Sequence, residues 1–337
     1  MLGKFEQSIE DGKKAVALDP HFPPGHNNLA WAYIQLNRLT EAEEALKQAA
    51  GYNVAFPEFL VMRYYIAYLR GDQAGMKREA AQSEKDADVG DWIIHAESSV
   101  LAYSGHLLQA RIMTRRAVDM EKQAHQPERA AIYEAGAAVR EAFFGNVPEA
   151  RQRARAALDL SKGRDAEYGA AFALALSGNF SESQPLANDL EKRFPEDTCV
   201  NFADLPILRA LAALNRGDSA AALASLQVAA PYDLAIPCSG FGYFGNLYAP
   251  YVRGQAYLKA NRYADAIAEF RKILDHPGIV FTDPVRVAAH LQLGRALLGS
   301  GDPAKAKAAF GELLSLWKDA DPDIPLLQQA KAEYGRI

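Results

Sequence analysis

The chain has 337 residues, 49% of them hydrophobic and 23% charged, with two cysteines and a formal charge of −5. It is too apolar for a disordered tail, and two cysteines exclude both a disulfide-framework miniprotein and a multi-cysteine zinc or iron–sulfur site. The mildly acidic balance argues against nucleic acid as a partner, since phosphate binding needs a concentrated basic footprint, and the 62 alanines favour helix over sheet.

In chain order, the N-terminal MLGKFEQSIEDGKK has no apolar core region and no small-residue cleavage site, so no signal peptide is read there. Phe5 to Pro20 reads as the second helix of a pair without its first. Its stripe Phe5, Ile9 and Val16 is predicted to lack a partner, as in a fragment cut inside a longer array; a lone capping helix is the alternative. An open stripe of this kind predicts end-to-end homodimerisation. Next, LAWAYIQLNRLTEAEEALKQA (Leu29 to Ala49) carries Leu29, Ala30 and Tyr33, a turn at Asn37, then Ala42, Leu46 and Ala49. The same order returns as Gly254, Tyr257, turn Asn261, Ala266, Phe270 and Ile273, and again as Gly294, Leu297, turn Gly301, Ala306, Phe310 and Leu313. Apolar residues at spacings of three and four place one buried stripe on each helix.

The turn residues are Gly3, Asn37, Gly71, Gly105, Gly145, Gly178, Gly217, Asn261 and Gly301, at intervals of 34, 34, 34, 40, 33, 39, 44 and 40. The longest uncharged stretch, Leu234 to Val252, contains Pro237, Gly240, Gly242, Gly245 and Pro250. Those residues break the continuous hydrogen bonding a spanning helix needs, so it reads as a loop leading into a helix near Leu247. The same stretch holds a literal G-x-G-x-x-G at Gly240 to Gly245, but no strand precedes it to aim a phosphate-binding loop. After a Pro-marked break, DADPDIPLLQQAKAEYGRI ends in one amphipathic helix that suits a C-terminal cap.

This pattern resembles the tetratricopeptide repeat, W-x2-L-G-x2-Y…A-x3-F…P, with degenerate first positions. The resemblance implies an all-α, right-handed superhelical solenoid of antiparallel helix pairs, about nine repeats with a partial first one. It divides the chain into a partial repeat at 1–20, a solenoid at 21–320 and a capping helix at 321–337. RFPEDT (Arg193 to Thr198), YVRGQAYL (Tyr251 to Leu258), KILDHPGIV (Lys272 to Val280) and LWKDADPDIPLLQQAKAEY (Leu316 to Tyr334) look like the C-terminal repeat region of multidomain bacterial, acidobacterial-type serine/threonine protein kinases. That resemblance implies a sensory or scaffolding tail. The chain itself has no His-Arg-Asp, Asp-Phe-Gly or Ala-Pro-Glu signature.

No catalytic constellation emerges, and neither a cofactor nor a metal is expected. None of the histidines His21, His26, His95, His106, His125, His276 and His290 forms an i, i+4 pair or sits beside a cysteine at ligand spacing. Cys199 and Cys238 lie in successive connections, where either pairing or free thiols fit. Arg140, Arg151, Arg153, Arg155 and Arg164 form the densest basic cluster, read as a solvated outer face.

A repeat array of this type exposes the first helix of each pair on its concave side. Projecting the lining positions gives Asn27, Trp31, Tyr65, Tyr68, Trp92, His95, Tyr103, Phe143, Tyr168, Phe172, Tyr248, Tyr251 and Arg295. The fifth positions carry no Lys or Arg, which disfavours the carboxylate clamp of the chaperone-binding branch. An aromatic wall suits an extended or helical peptide held by stacking and apolar contact. The sequence therefore predicts a non-catalytic interaction scaffold for a protein or peptide, with no nucleic-acid partner and no membrane contact of its own. A small-molecule or peptide sensor with its ligand near Cys238–Tyr251, and the tail of a transcriptional regulator, are the alternatives. The expected compartment is the cytoplasm by default, or outside it if a membrane segment precedes the chain in a parent protein.

Overall fold

The computed structural model describes residues 3–83, 89–236, 239, 244, 245 and 247–337. Among these residues the regular structure is helical throughout, with no strand. In chain order the helices are α1 (Phe5–Leu18), α2 (Pro23–Gln35), α3 (Leu39–Gly51), α4 (Glu58–Arg70), α5 (Gln73–Ser83), α6 (Gly90–Tyr103) and α7 (Leu107–Gln123). There follow α8 (Pro127–Phe144), α9 (Val147–Leu160), α10 (Arg164–Leu176), α11 (Phe180–Arg193), a π-helical turn (Val200–Asp204), α12 (Leu205–Asn215), α13 (Ser219–Ser225) and a 3-10 turn (Gln227–Tyr232). The last are α14 (Tyr248–Lys259), α15 (Tyr263–Leu274), α16 (Pro277–Val280), α17 (Pro284–Gly299), α18 (Pro303–Leu316) and α19 (Pro325–Tyr334). No helix of the described residues is long and apolar enough to cross a membrane.

Every predicted turn residue has a left-handed backbone, from φ 68° at Gly3 and 56° at Asn37 to 56° at Asn261 and 84° at Gly301. A tight reversal between antiparallel helices needs one such residue, and Gly and Asn reach that region at least cost. Between the turns the alanines do what the composition suggested. Ala42, Ala154, Ala157, Ala266 and Ala306 are fully buried where paired helices meet.

The chain divides into two compact units, one of residues 1–96 with 276–281, the other of residues 97–275 with 282–337. In the first unit α1 packs on α2, with Gly12 against Leu29. Phe5, Ile9 and Val16 are consequently buried, at 8, 3 and 5% exposure. The stripe expected to lie open is covered by a helix of the same chain, which removes the apolar face on which the homodimer expectation rested. The core continues through Leu29, Ile34, Leu46, Phe59, Met62 and Ile66.

In the second unit, helix pairs from α7 to α15 stack in sequence, and the C-terminal helices then return to the unit's beginning. Helix α17 packs on α8 as well as on α15 and α18, and α19 packs on both α18 and α8. The Trp317 indole N–H donates to the Tyr103 carbonyl at 2.8 Å, and the ring meets Phe144 edge-on at 5.0 Å. Next to it the Asp321 amide donates to the Gly105 carbonyl at 3.0 Å, while the Asp321 carboxylate accepts from the Leu108 amide at 2.8 Å. Helix α19 and the segment before it thus contact α8 and the start of α7 as well as α18.

Candidate functional site

The predicted wall separates into two groups with different surroundings. In the first unit, Trp31 on α2 and Tyr65 on α4 lie 6.4 Å apart and remain partly exposed. The aromatic Phe281 seats against both, 6.2 Å from Trp31 and 4.9 Å from Tyr65. It arrives on the segment 276–281, whose short helix α16 lies on α2. A Cβ on Gly278 would run into the Ile34 carbonyl oxygen, so the segment approaches the end of α2 backbone to backbone. Phe281 itself sits at φ 43°, ψ −117°, a conformation costly for a bulky residue that persists where surrounding contacts hold it. Burial pushes the Tyr65 hydroxyl up to about 12. Asn27 stands on the same helix as Trp31, with its buried Oδ1 lacking a hydrogen-bond partner among the described residues. Tyr68 is half-buried, and Trp92 and His95 are buried. Sequence projection named both tryptophans and Tyr65 but missed Phe281, because its position is set by contact with helices more than 200 residues earlier.

In the second unit the projected aromatics meet one another. Phe172 stacks on Tyr248 at 4.5 Å and 21°, and Phe143 lies 5.2 Å from both Tyr248 and Tyr251. Tyr168 is 6.1 Å from Phe172 and 6.4 Å from Phe244. Tyr103, Phe143, Tyr168, Phe172, Tyr248 and Tyr251 are all buried, at 0–8% exposure. Arg295 is engaged from α19, donating to Glu333 at 3.0 Å and to Gln329 at 3.0 Å. Burial raises the Tyr251 hydroxyl to about 12.

Two aspartates act on the tyrosines of this aromatic set. The Tyr248 hydroxyl donates to Asp283 Oδ2 at 3.1 Å, while Asp283 Oδ1 caps α17 through the Val285 amide at 3.0 Å. Asp204, the last residue of the π-helical turn, is 5% exposed, and burial raises its carboxyl well above the usual range. Tyr168 is raised first by burial and then by the charges of Asp204 and Asp283. No sequence pattern singled out either aspartate.

The basic cluster departs from expectation. Arg140 and Arg153 are buried, at 5 and 6% exposure, because they bridge helices instead of facing solvent. Arg153 pairs with Glu134 and Glu149 at 2.9 Å each, and Arg140 donates to Ser98 Oγ at 3.1 Å and Thr114 Oγ1 at 3.0 Å. Burial lowers Arg140 to about 10. Arg151 and Arg155 both pair with Glu182, and Arg164 pairs with Asp165 and Asp197. A shallow depression along α9, lined by Pro148, Arg151, Gln152 and Arg155, is therefore already neutralised.

Of the predicted glycine-rich stretch, residues 240–243 lie outside the described residues. Phe244 is buried and its carbonyl accepts from the Ser239 hydroxyl at 2.6 Å, and α14 begins at Tyr248, next to the expected Leu247. Cys199 is disulfide-bonded, while Cys238 lies outside the described residues. Among the described residues no group of three or more His, Cys, Asp or Glu side chains is placed to hold a metal ion.

Tetratricopeptide repeat family models match residues 1–59 and 251–325. No curated protein matches the chain. Among solved structures, the human IFIT1 dimer with PPP-AAAA is similar at a TM-score of 0.51 and 16% identity, over 99% of this chain and 76% of that one. A tetratricopeptide repeat protein from Parabacteroides merdae is similar at 0.45 and 14%, over 82% of this chain and 97% of that one. Yeast Tom70 is similar at 0.44 and 14%, over 99% and 86% respectively.

Proposed function

We propose, from the premise that the chain carries tetratricopeptide repeats, that it is a non-catalytic interaction scaffold whose first unit captures a peptide on the Trp31–Tyr65 wall. The observation that carries this reading is the segment 276–281, a peptide of the chain's own sequence with Phe281 held between those two rings. Burying an aromatic side chain in such a contact stabilises by about 1.5–3 kcal/mol, enough for selective but reversible docking. The preferred ligand is a short segment with an aromatic residue preceded by small and aliphatic ones, as in HPGIVF. The same segment occupies the wall in the free protein, so an incoming peptide competes with it.

A fluorescent peptide of residues 275–282 tests this on the full chain. Phe281→Ala empties the seat and is expected to raise peptide affinity, whereas Phe281→Ala combined with Trp31→Ala abolishes binding. Failure of the Phe281→Ala protein to bind the peptide, with helicity intact by circular dichroism, would rule the wall out.

The chain is further read as the repeat tail of a larger bacterial signalling protein such as a serine/threonine kinase. What supports this is the run of stretches around Arg193–Thr198, Tyr251–Leu258, Lys272–Val280 and Leu316–Tyr334. Reading the genomic frame upstream of Met1 decides it: a kinase catalytic domain in frame is the expected result, and a DNA-binding domain there makes the chain a regulator tail instead.

A further inference from the structure

Helix α2 carries two hydrogen-bond acceptors that the described residues leave unsatisfied. Gln35 is 8% exposed, and neither its Oε1 nor the Oδ1 of Asn27 has a hydrogen-bond partner among those residues. Both oxygens are closed to solvent. A buried acceptor without a donor is costly, and one kept in a native fold calls for a donor from outside the chain, a water or a ligand. In sequence the two amides stand four residues before and four residues after Trp31. Residues four apart are neighbours on a helix surface, so Asn27 and Gln35 flank the ring on which Phe281 seats. At 1.5 Å of rise per residue they are about 12 Å apart along the helix axis.

The segment 276–281 brings a ring to this face and no donor. Its N–H groups are used inside the short helix α16: Ile279 and Val280 donate to the His276 carbonyl and Phe281 to the Pro277 carbonyl, each at 3.0 Å. Pro277 has no N–H to give. The segment nevertheless passes close to Gln35, since a Cβ on Gly278 would stand 2.9 Å from the Gln35 main-chain oxygen. An extended chain has the opposite property. Its N–H groups make no internal bonds, alternate ones point to the same side, and two that are four residues apart lie about 13 Å from each other. That span is close to the separation of the two amides. We propose that Asn27 and Gln35 read the main chain of an extended peptide that lays an aromatic side chain on Trp31. They accept from the N–H groups two residues before and two residues after that side chain. This rests on the reading of the Trp31–Tyr65 wall as a peptide site and adds a selection rule to it. A ligand that stays extended outcompetes the helical segment 276–281, and proline at either of the two read positions is rejected for want of an N–H.

Fluorescence anisotropy on the full Phe281→Ala chain tests this with a labelled peptide of residues 275–285, DHPGIVFTDPV, in which Ile279 and Asp283 lie two residues before and after Phe281. N-methylation of the Ile279 or the Asp283 amide is expected to weaken binding about three- to tenfold, the worth of one hydrogen bond. N-methylation of Val280 or Thr282, whose N–H groups face the other way, should change it by less than about twofold. Gln35→Met and Asn27→Leu, made separately, remove an acceptor at similar volume. Each should weaken the unmodified peptide by a like factor, cancel the penalty of one of the two N-methyl groups, and raise the thermal midpoint of the free chain. A residue that only packed would lower that midpoint. The proposal is overturned, with the wall itself left standing, if the peptide binds and loses binding on Trp31→Ala but N-methylation costs the same at all four positions. Binding to Gln35→Met and Asn27→Leu as to the parent overturns it equally. If the peptide does not bind the Phe281→Ala chain at all, the wall and this inference fall together.

Discussion

Glu167 on α10 shows how a single buried side chain sets a pH dependence. Arg193 donates to it at 2.9 Å and to Asp189 at 3.0 Å, so two carboxylates share one guanidinium. Burial, and the hydrogen bond with Asp189, raise Glu167 to about 7, while Arg193 and Glu167 lower the exposed Asp189; the pair keeps its proton on the buried member. Glu167 therefore holds a proton in the folded chain that the unfolded chain releases above its ordinary 4.5. The folded state binds more protons in that window, so this group's contribution falls as pH rises from about 4.5 to about 7 and returns on acidification. Glu167→Gln should thus raise the unfolding midpoint at about pH 7.5 and leave it nearly unchanged at about pH 5. His290 works in the opposite direction. Burial and then Arg286 hold it down to about 4, so its contribution is lost as pH falls from 6.5 towards that value. A midpoint measured across this range for Glu167→Gln and His290→Asn separates the two slopes.

The individual helix pair depends on a fit between one glycine and one ring. A Cβ on Gly254 would stand 2.6 Å from the Phe270 ring, and one on Gly294 would stand 2.5 Å from the Phe310 ring. Both glycines belong to the first helix of their pair and both rings to the second, and Phe270 and Phe310 are fully buried. Alanine would gain about 1 kcal/mol in helix propensity, but overpacking a closed contact costs about 1–3 kcal/mol. The collision is with a ring fixed on all sides, so the cost wins. Gly294→Ala should destabilise by roughly 1 kcal/mol net, read from urea unfolding, and Phe310→Leu in the same chain should recover part of the loss. This contact was legible in the sequence, where Gly254 and Phe270, and Gly294 and Phe310, each stand 16 residues apart across their turns.

At the scale of the whole chain, each unit is held by contacts between residues far apart in sequence. In the first, residues 276–281 complete a core otherwise built from the N-terminal helices. In the second, Trp317 is 1% exposed and spans 214 residues to reach the Tyr103 carbonyl. Truncating it to alanine would leave a cavity beside Phe144 and an unpaired carbonyl, a loss of about 3–5 kcal/mol. Trp317→Phe should recover most of the packing and not the hydrogen bond, and denaturant titration of both variants gives the split. A purely linear array, in which each repeat touches only its neighbours, would show a smaller effect confined to the last repeat.

The sequence by itself determined the local structure, because helix pairing is written in short-range periodicity. The nine Gly and Asn turn residues all have left-handed backbones, and the stripes at spacings of three and four became the helix contacts. The projected aromatic residues lie on α2, α4, α6, α8, α10 and α14. Only the tertiary structure decided what those rings face. Phe281 against Trp31 and the return of α17 and α19 to α8 are long-range encounters. No periodicity encodes them, since they depend on where accumulated small rotations bring distant helices.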